Sequence, residues 1–233
     1  MKKKLLSIIL LGATAVAAYA ADASQTVDSR LEDAKTVIDQ IMANTSNSIP
    51  ENIAHKAQCV AVVPGMKKAA FIVGGSYGQG VVTCRTANGW SGPVFIRMAG
   101  GSWGLQIGGQ STDLVLLAMN QKGFQDLLHS KFKIGAGVAA AAGPVGRNAQ
   151  ASTDLSMHSE MLSYSRSRGA FAGIDLNGTT VTQNTDDTKA LYGSSHAFTQ
   201  ILHGSVTPPA AAKGFLATVR QYFGGGAQTA GAQ

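Results

Sequence analysis

Apolar residues between Lys67 and Asn120 fall into short runs of strand length that are separated by glycines. The phrase Gly-Gly-Ser-aromatic-Gly occurs twice there, at Gly74–Gly78 and at Gly100–Gly104, and β-branched or aromatic segments flank each copy. Short apolar runs bounded by turn residues are typical of β-strands. The pattern therefore predicts a curved, glycine-rich sheet, in which these glycines allow bulges and close approach of neighbouring backbones.

Strands are predicted along most of the chain by the same criteria. Pro64-Gly65 is predicted to end the first strand, with Lys67 and Lys68 in the turn that follows, and Asn177-Gly178 is predicted to join the last two strands as a hairpin. The predicted strands are 57–63, 69–74, 77–85, 93–109 with an interruption at Gly100-Gly101, 113–119, 131–148, 161–166, 169–176 and 179–183.

Residues 26–44 form the clearest predicted helix, because apolar residues recur at spacings of three and four. The opposite face carries a net charge of −2, whereas a helix on a membrane surface is normally basic on its polar face. We therefore expect this helix to pack on the core of its own domain. Its apolar residues are Val27, Leu31, Ala34, Ile38, Ile41 and Met42. Further helices are predicted at 121–130, 186–192, 196–202 and 209–222, and residues 224–233 are expected to be a disordered tail.

The N-terminus matches a secretory signal peptide. Three lysines precede the apolar run Leu5–Ala18, and Ala18-Tyr19-Ala20 is a small-residue cleavage site. The apolar run is too short to span a bilayer comfortably. Cleavage after Ala20 is predicted, which places the protein in the periplasm or outside the cell, or in association with the outer membrane. The remainder, 21–223, fits one domain, since 233 residues with 45% hydrophobic content supply one sizeable core.

Cleavage also lowers the net charge. It removes three of the 19 basic residues, so 16 basic and 13 acidic residues remain and the formal charge falls from +6 to +3. A mildly basic exported protein can bind anionic lipid or cell-wall polymer, although this charge does not require it. Nucleic acid is not an expected partner, because no basic run is interleaved with aromatic residues.

Two cysteines, Cys59 and Cys84, are present. An even number in an oxidising compartment favours a disulfide, and such a bridge would stabilise the fold by roughly 3–4 kcal/mol. The alternative is a pair of buried free thiols. No metal site is predicted, because the cysteines have no histidine at ligand spacing.

Both glycine phrases match G-x-S-x-G, the pattern that places a hydrolase nucleophile on a sharp strand-to-helix turn. Strand-like sequence follows Ser76 and Ser102, so neither copy opens a helix. We therefore favour a structural role for both serines and predict no catalytic residue.

Basic residues in the predicted turns are the candidate binding residues. If these turns lie at one end of a sheet, their charges converge and can bind phosphate groups. The alternative is ordinary solvated loop charge. The candidates are Lys67, Lys68, Arg147, Arg166 and Arg168.

The chain resembles the SYLF domain family of lipid-binding and actin-patch proteins, in its bacterial exported branch, over about Val27–Tyr192. The resemblance lies in KKAAFIVGGSYGQGVVTCR, GWSGPVFIRMAGGSWGLQIGGQSTDLVLLAMN, KIGAGVAAAAGPVGR and SYSRSRGAFAGIDL. It implies an α+β fold: a strongly curved, mostly antiparallel, Gly-rich β-sheet or partial barrel with an N-terminal amphipathic helix and C-terminal helices. It also implies phospholipid binding without catalysis or a cofactor.

Two features of this chain differ from the family, and they limit which family functions we expect of it. Lipid binding in animal members is linked to a basic N-terminal helix, and the matching helix here is acidic. The actin and SH3-adaptor roles are not expected of an exported chain that carries neither SH3 nor FYVE module. We expect a non-enzymatic protein that binds anionic phospholipid or a membrane surface at the cell envelope. The alternatives are an envelope structural protein with a protein partner, and a serine hydrolase.

Overall fold

The structure is a computed structural model that describes residues 27–43, 48–70, 73–103, 108–135, 140–146, 160–167, 170–172 and 176–224. The helices are α1 (27–43), α2 (Glu51–Ala54), α3 (Gln121–Leu128), α4 (Thr185–Tyr192), α5 (Phe198–Leu202) and α6 (Lys213–Phe223), with a 3-10 turn at Ala210–Ala212 before α6. The strands are β1 (Cys59–Ala70), β2 (Val73–Thr86), β3 (Gly89–Trp90), β4 (Val94–Trp103), β5 (Gly108–Ala118), β6 (Lys131–Lys133), β7 (Ala140–Ala142), β8 (Met161–Ser167), β9 (Ala170–Ala172) and β10 (Thr180–Gln183).

The strands form one 10-stranded sheet in the order β6-β10-β4-β2-β1-β5-β8-β7, with β3 beside β2 and β9 beside β8. Among the described residues, every pairing is antiparallel except that of β7 with β8. The sheet curls into a half-barrel, and the fold is α+β with an N-terminal helix and C-terminal helices, which confirms the predicted class.

Each face of the sheet carries its own hydrophobic core. Val60 and Val62 of β1 point to the face covered by α1, α2 and α6, whereas Ala61 and Val63 point to the face covered by α3 and α5. Successive side chains on a strand alternate between the two faces, so burial on both sides requires continuous apolar runs. This explains why Leu114–Ala118 of β5 is wholly apolar and wholly buried.

The N-terminal helix packs as predicted. Val27, Leu31, Ala34, Ile38 and Ile41 are buried against the sheet. The helices predicted after Asn120 and near the C-terminus are also present, with ends shifted by a few residues.

The break predicted at Pro64-Gly65 is wrong. Strand β1 continues through this pair as a bulge, where its register shifts against both β2 and β5. Gly65 adopts a φ of +56°, which other residues rarely adopt, and its N–H bonds the Asp113 carboxylate at 2.9 Å. Lys67 and Lys68 consequently lie inside a strand, not in a turn. The predicted strand 69–74 is also wrong, because β1 ends at Ala70 and β2 begins at Val73.

Two further expectations about the sheet are wrong. Strand β4 runs without a break through Gly100-Gly101, where it pairs continuously with β2. The turn at Asn177-Gly178 does not join β9 to β10 as a hairpin, because β10 pairs with β4 and β6. Its backbone bonds Ile134 instead, at 2.8 Å from Gly178 N to Ile134 O.

The predicted disulfide is present between Cys59 and Cys84. The two residues are direct partners on β1 and β2, and their side chains are fully buried in the core beneath α3 and α5. The bridge therefore joins the two central strands of the sheet. The predicted signal peptide and the predicted tail after Gly224 lie outside the described residues.

Candidate functional site

The sheet face that carries α1 has a second half that the helix does not cover, and basic residues gather there. Residues directly opposite each other on antiparallel strands point to the same face, as do residues two apart on one strand. The register can therefore be followed across the sheet. We call the resulting surface the basic face, and it consists of Lys67, Arg97, Lys131, Lys133 and Arg166.

The first row of this face crosses five strands. Lys133 of β6 lies opposite Thr180 of β10, and Thr180 lies opposite Ala99 of β4. Ala99 lies opposite Tyr77 of β2, which in turn lies opposite Lys67 of β1. Lys133 and Lys67 therefore stand at the two ends of one continuous row.

The second row lies two residues along each strand. Lys131 is opposite Thr182, Thr182 is opposite Arg97, and Arg97 is opposite Gln79. Because Gln79 is two residues after Tyr77, both rows share one face of the sheet.

Arg166 joins this face from the other side of β1. Lys67 is opposite Ser111 of β5, and Asp113, two residues further on, is opposite Arg166 of β8. The guanidinium of Arg166 donates a hydrogen bond to the side-chain oxygen of Gln40 on α1. This contact places Arg166 at the edge of the helix.

Most of the charge on the basic face is available to solvent. Lys67, Lys131 and Lys133 are exposed, and none of them forms an ion pair with another residue in the part of the chain that the structure describes. Arg97 lies 3.8 Å from a carboxylate oxygen of Asp186, whose side chain is 86% exposed. Such an exposed, long pair holds little energy, so Arg97 can exchange this partner for another anion.

A cleft runs between α1 and the basic face. It has a volume of about 320 Å³ and is continuous through Asp33 and the Pro64-Gly65 bulge with a second cleft of about 340 Å³. The first is lined by Ser29, Arg30, Asp33, Pro64, Gly65, Lys67, Tyr77, Gly78 and Gln79, and the second adds Thr36, Val37, Gln40 and Asp113. The cleft therefore contains charged groups of both signs, from Arg30, Asp33 and Lys67.

Arg30 fixes the helix side of the cleft. Its guanidinium lies 2.5 Å from the Asp187 carboxylate and 5.2 Å from the centre of the Phe95 ring. The ion pair joins α1 to α4, and the ring contact holds the guanidinium over the sheet. Arg30 therefore has partners of its own, whereas Lys67 on the opposite wall has no charged partner among the described residues.

The exposed side of α1 does not extend the positive surface. Lys35 lies 3.2 Å from Glu32 and 3.4 Å from Asp39, and the hydrogen bond to Glu32, followed by that to Asp39, raises the pKa of the lysine. The lysine is thus held in its charged form by two acids, which agrees with the net negative charge of this helix.

Residues 99–222 match the family Ysc84, described as "Las17-binding protein actin regulator". The chain belongs to the Ysc84 family. The SYLF resemblance read from the sequence motifs is thereby confirmed at the family level.

Relatives of this Ysc84-family chain come from fungi and animals. LAS seventeen-binding protein 3 of Saccharomyces cerevisiae is 32% identical over 70% of the chain, and Protein YSC84 of the same yeast is 31% identical over 72%. SH3 domain-containing YSC84-like protein 1 of Mus musculus is 32% identical over 71% of the chain. The chain spans 36% of the two yeast proteins and 49% of the mouse protein. These relatives are named for binding or for a domain, not for a reaction.

The Ysc84 fold brings together only some of the residues that the sequence predicted. Lys67 and Arg166 share the basic face. Lys68 lies opposite Ser76 and Gln110 and points to the other face, because it is adjacent to Lys67 in the strand. Arg147 and Arg168 lie outside the described residues.

Sequence reasoning missed Arg97, Lys131 and Lys133. The alternation Lys131-Phe132-Lys133 was a usable signal, since it turns Phe132 to the core beneath α3 and α5 and both lysines to the other face. The sequence does not show that β6 lies two strands from β4 in the sheet. The proximity of Lys131 and Lys133 to Arg97 is therefore visible only from the strand register.

Neither serine of the glycine phrases has hydrolase geometry in this Ysc84-family fold. Ser76 lies within β2 and Ser102 within β4, and the two strands pair through this region. The Ser76 hydroxyl donates to Gly100 O at 3.4 Å. A nucleophile of that class requires a strand-to-helix turn, which neither position provides.

The described residues provide neither a metal-binding cluster nor a membrane-spanning helix. No group of three or more His, Cys, Asp or Glu side chains among them is arranged to hold a metal ion. None of the helices described has the length and apolar content needed to cross a membrane.

Proposed function

We propose that this protein binds the surface of anionic phospholipid membranes through the basic face. The observation that supports the proposal is the strand register, which aligns five cationic side chains from four strands on one open sheet face. Lysine and arginine side chains near an anionic membrane each contribute about 1 kcal/mol to binding. Lys67, Lys131 and Lys133 are exposed and bring their full charge to such a surface.

Co-sedimentation with vesicles tests the proposal. Purified protein is mixed with vesicles of pure phosphatidylcholine and with vesicles that also contain phosphatidylglycerol. Binding is expected to the anionic vesicles at low salt and is expected to weaken as the ionic strength passes 0.15 M, where the screening length is about 8 Å. Absence of binding to anionic vesicles at low salt overturns the proposal.

A double variant locates the membrane contact. Lys131→Ala combined with Lys133→Ala removes two exposed charges from the edge strand β6 and is expected to weaken binding to anionic vesicles about 30-fold. The matched control is Lys56→Ala combined with Lys213→Ala, which removes two exposed lysines from outside the sheet. Equal losses in both variants would show that net charge alone, and not the basic face, drives binding.

We further propose that the protein acts by binding and not by catalysis. Support comes from the relatives, whose names describe binding proteins and SH3-containing proteins. A fluorophosphonate probe provides the check, and no labelling that depends on Ser76 or Ser102 is expected. Labelling lost on Ser76→Ala or Ser102→Ala would contradict the proposal.

The proposed location is the cell envelope, in the periplasm or at the outer membrane. The signal-peptide pattern at residues 1–20 and the Cys59–Cys84 bridge support it, since disulfides persist in oxidising compartments. Fractionation of cells that produce the full chain should recover the processed protein outside the cytoplasm. Recovery of the unprocessed protein in the cytoplasm would contradict this location.

A protein partner is the second candidate for the basic face. The family description and the yeast relative both name Las17 binding, so relatives of this chain bind a protein. Crosslinking in cell envelopes, followed by the Lys131/Lys133 double variant, distinguishes the two ligands. A protein crosslink that needs both lysines, together with no vesicle binding, would favour the protein partner.

A further inference from the structure

The cleft beside α1 has a floor that the sheet holds in place. The floor is the Pro64-Gly65 bulge of β1, and Gly65 N is bonded to Asp113 Oδ1 at 2.9 Å. Gly78 lies beneath the bulge, where a Cβ would come within 2.6 Å of Val63 Cγ1. Bulges are frequent beside functional sites, where they redirect the chain. The bulge places the backbone of Pro64 and Gly65 along both parts of the cleft.

The strand wall of the cleft presents an oriented hydroxyl donor. Tyr77 and Gln79 are two residues apart on β2 and point to the same face. Gln79 Nε2 donates to Tyr77 Oη at 2.7 Å, so the phenol uses a lone pair there and its own hydrogen is directed elsewhere. Tyr77 is 49% exposed, so its hydroxyl is accessible to a ligand from solvent. The phenol therefore offers a proton, and Lys67 opposite it offers a positive charge.

The helix wall presents acceptors. Asp33 on α1 lines both parts of the cleft with a carboxylate that forms no ion pair among the residues described. The carbonyl oxygen of the Gln79 amide is a second acceptor. Neither oxygen can bond a phosphate diester, which has no proton to give, so both select a ligand that carries donors next to its phosphate.

Hydroxyl groups fit these acceptors better than an ammonium group does. An ammonium placed beside Asp33 would also lie near Arg30 and Lys67, two cations that line the same cleft. A hydroxyl donates without this repulsion. A volume of about 320 Å³ holds about ten waters at ~30 Å³ each, which is enough for a phosphate with a glycerol.

We propose that this cleft binds a glycerophosphate group, with the phosphate at Lys67 and Tyr77 and the glycerol hydroxyls at Asp33 and Gln79. The inference rests on the proposed membrane function for its lipid form, in which the group is the headgroup of phosphatidylglycerol. The same chemistry occurs in soluble glycerophosphate, and the experiment separates the two sources.

The test compares vesicles of equal charge. Phosphatidylglycerol and phosphatidylserine each carry one net negative charge, but only the former has glycerol hydroxyls on its headgroup. Binding to phosphatidylglycerol vesicles is expected to be about three- to tenfold tighter, the range for one or two hydrogen bonds. Equal binding to both vesicles, or tighter binding to phosphatidylserine, overturns the cleft inference and leaves the membrane function standing.

Asp33→Asn is the decisive variant. It removes a negative charge, so binding to both kinds of vesicle is expected to hold or rise while the preference for phosphatidylglycerol is lost. Asp28→Asn is the matched control, because Asp28 is an exposed acid of the same helix that does not line the cleft, and its preference should equal that of the unmodified protein. Loss of the preference in both variants would contradict a role for Asp33.

Soluble sn-glycerol 3-phosphate separates the lipid from the free ligand. If the cleft recognises the group itself, this compound reduces the preference for phosphatidylglycerol, and Tyr77→Phe weakens that competition. Binding of the soluble compound without any vesicle binding supports the cleft and overturns the membrane function. Binding to neither the compound nor the vesicles overturns both.

Discussion

Tyr164, which is buried, and Tyr192, which is half-buried, differ in whether the hydroxyl has a hydrogen-bond partner. Burial raises the pKa of both Tyr164 and Tyr192 above the ordinary tyrosine value. Tyr192 Oη donates to Pro93 O at 3.0 Å, whereas Tyr164 Oη is buried without a hydrogen-bond partner among the described residues. The first hydroxyl therefore contributes a bond to the fold, and the second contributes only the penalty of a buried polar group.

Replacing each tyrosine by phenylalanine separates the contribution of the Tyr192 hydrogen bond from the penalty of the unbonded Tyr164 hydroxyl. Tyr192→Phe is expected to lower the free energy of unfolding by about 1 kcal/mol, because Pro93 O loses its donor. Tyr164→Phe is expected to leave the free energy of unfolding unchanged within about 0.5 kcal/mol or to raise it, because the ring stays and the unbonded hydroxyl goes. Urea unfolding at neutral pH measures both. A larger loss in Tyr164→Phe than in Tyr192→Phe would contradict the assignment.

The same tyrosines predict an alkaline limit of stability. Their pKa is raised in the folded protein, so at a pH above about 10 the unfolded chain loses these protons while the folded chain keeps them. Stability is therefore unaffected below that pH and falls as the pH rises through it towards the raised pKa of the folded state. Urea midpoints on both sides of pH ~10 measure the fall. The double Phe variant should show a smaller fall, and an equal fall would show that other groups are responsible.

Among the elements, strand β2 depends on glycine where β1 bulges over it. At Gly80 a Cβ would lie 2.5 Å from Val62 O, whereas at Gly101 of β4 a Cβ would meet nothing within 4 Å. Gly80→Ala is expected to destabilise by about 1–3 kcal/mol through overpacking. Gly101→Ala is the matched control and should stay within about 0.5 kcal/mol of the unmodified protein. Similar urea midpoints for the two variants would contradict the close approach of the Gly80 and Val62 backbones.

The disulfide joins the same two strands. Both cysteines are fully buried, so reductant should not reach them until the chain unfolds. Cys59→Ala combined with Cys84→Ala is expected to lower the free energy of unfolding by about 3 kcal/mol. Ellman titration of the unmodified protein in denaturant without reductant should find no free thiol. Two titratable thiols would show that the bridge does not form in the purified protein.

Local patterns in the sequence predicted most of the helices and strands, but they did not predict which strands pair with each other. The apolar spacing at residues 27–43 and the even cysteine count are local signals, and helix α1 and the disulfide followed from them. From the sequence alone, Pro64-Gly65 is predicted to end a strand. The contacts that stabilise the bulge come from Asp113 and Gly78, which lie on strands distant in sequence and give no local signal. The basic face depends on register alone, which no local pattern of charge supplies.

At the scale of the whole molecule, helices cover one half of the α1 face and leave the other half open. The covered half carries large apolar residues such as Phe95 and Leu117, whereas the open half carries mainly small, polar or charged residues such as Ala99 and Lys67, together with the half-exposed ring of Tyr77. A sheet face made mainly of small, polar and charged side chains needs no covering helix to be stable in water. The half-barrel therefore separates a stabilising region from a surface that is free to bind.

Arg85 joins strand β2 to the C-terminal helix α6 and to the segment after α2. Its guanidinium lies 4.8 Å from the Trp90 ring centre and donates to Phe223 O at 2.6 Å, the last residue of α6, as well as to His55 O at 3.0 Å and Ala57 O at 3.2 Å. Burial lowers the pKa of this arginine, but an arginine guanidinium stays charged in proteins. One planar group thus holds strand β2, the segment after α2 and the C-terminal helix together.

Lysine cannot reproduce this fork, because a single ammonium has neither the planar shape nor the reach of the guanidinium. Arg85→Lys is therefore expected to destabilise by about 2–3 kcal/mol, the range for lost hydrogen bonds to a charged donor. Arg220→Lys, at an exposed position of α6, is the matched control and should change little. Hydrogen exchange is the informative measurement, because the amides of α6 should lose protection before those of β1 and β5 when its anchor is weakened. Uniform loss of protection across the helix and the sheet would instead show that Arg85 stabilises the whole fold as one cooperative unit.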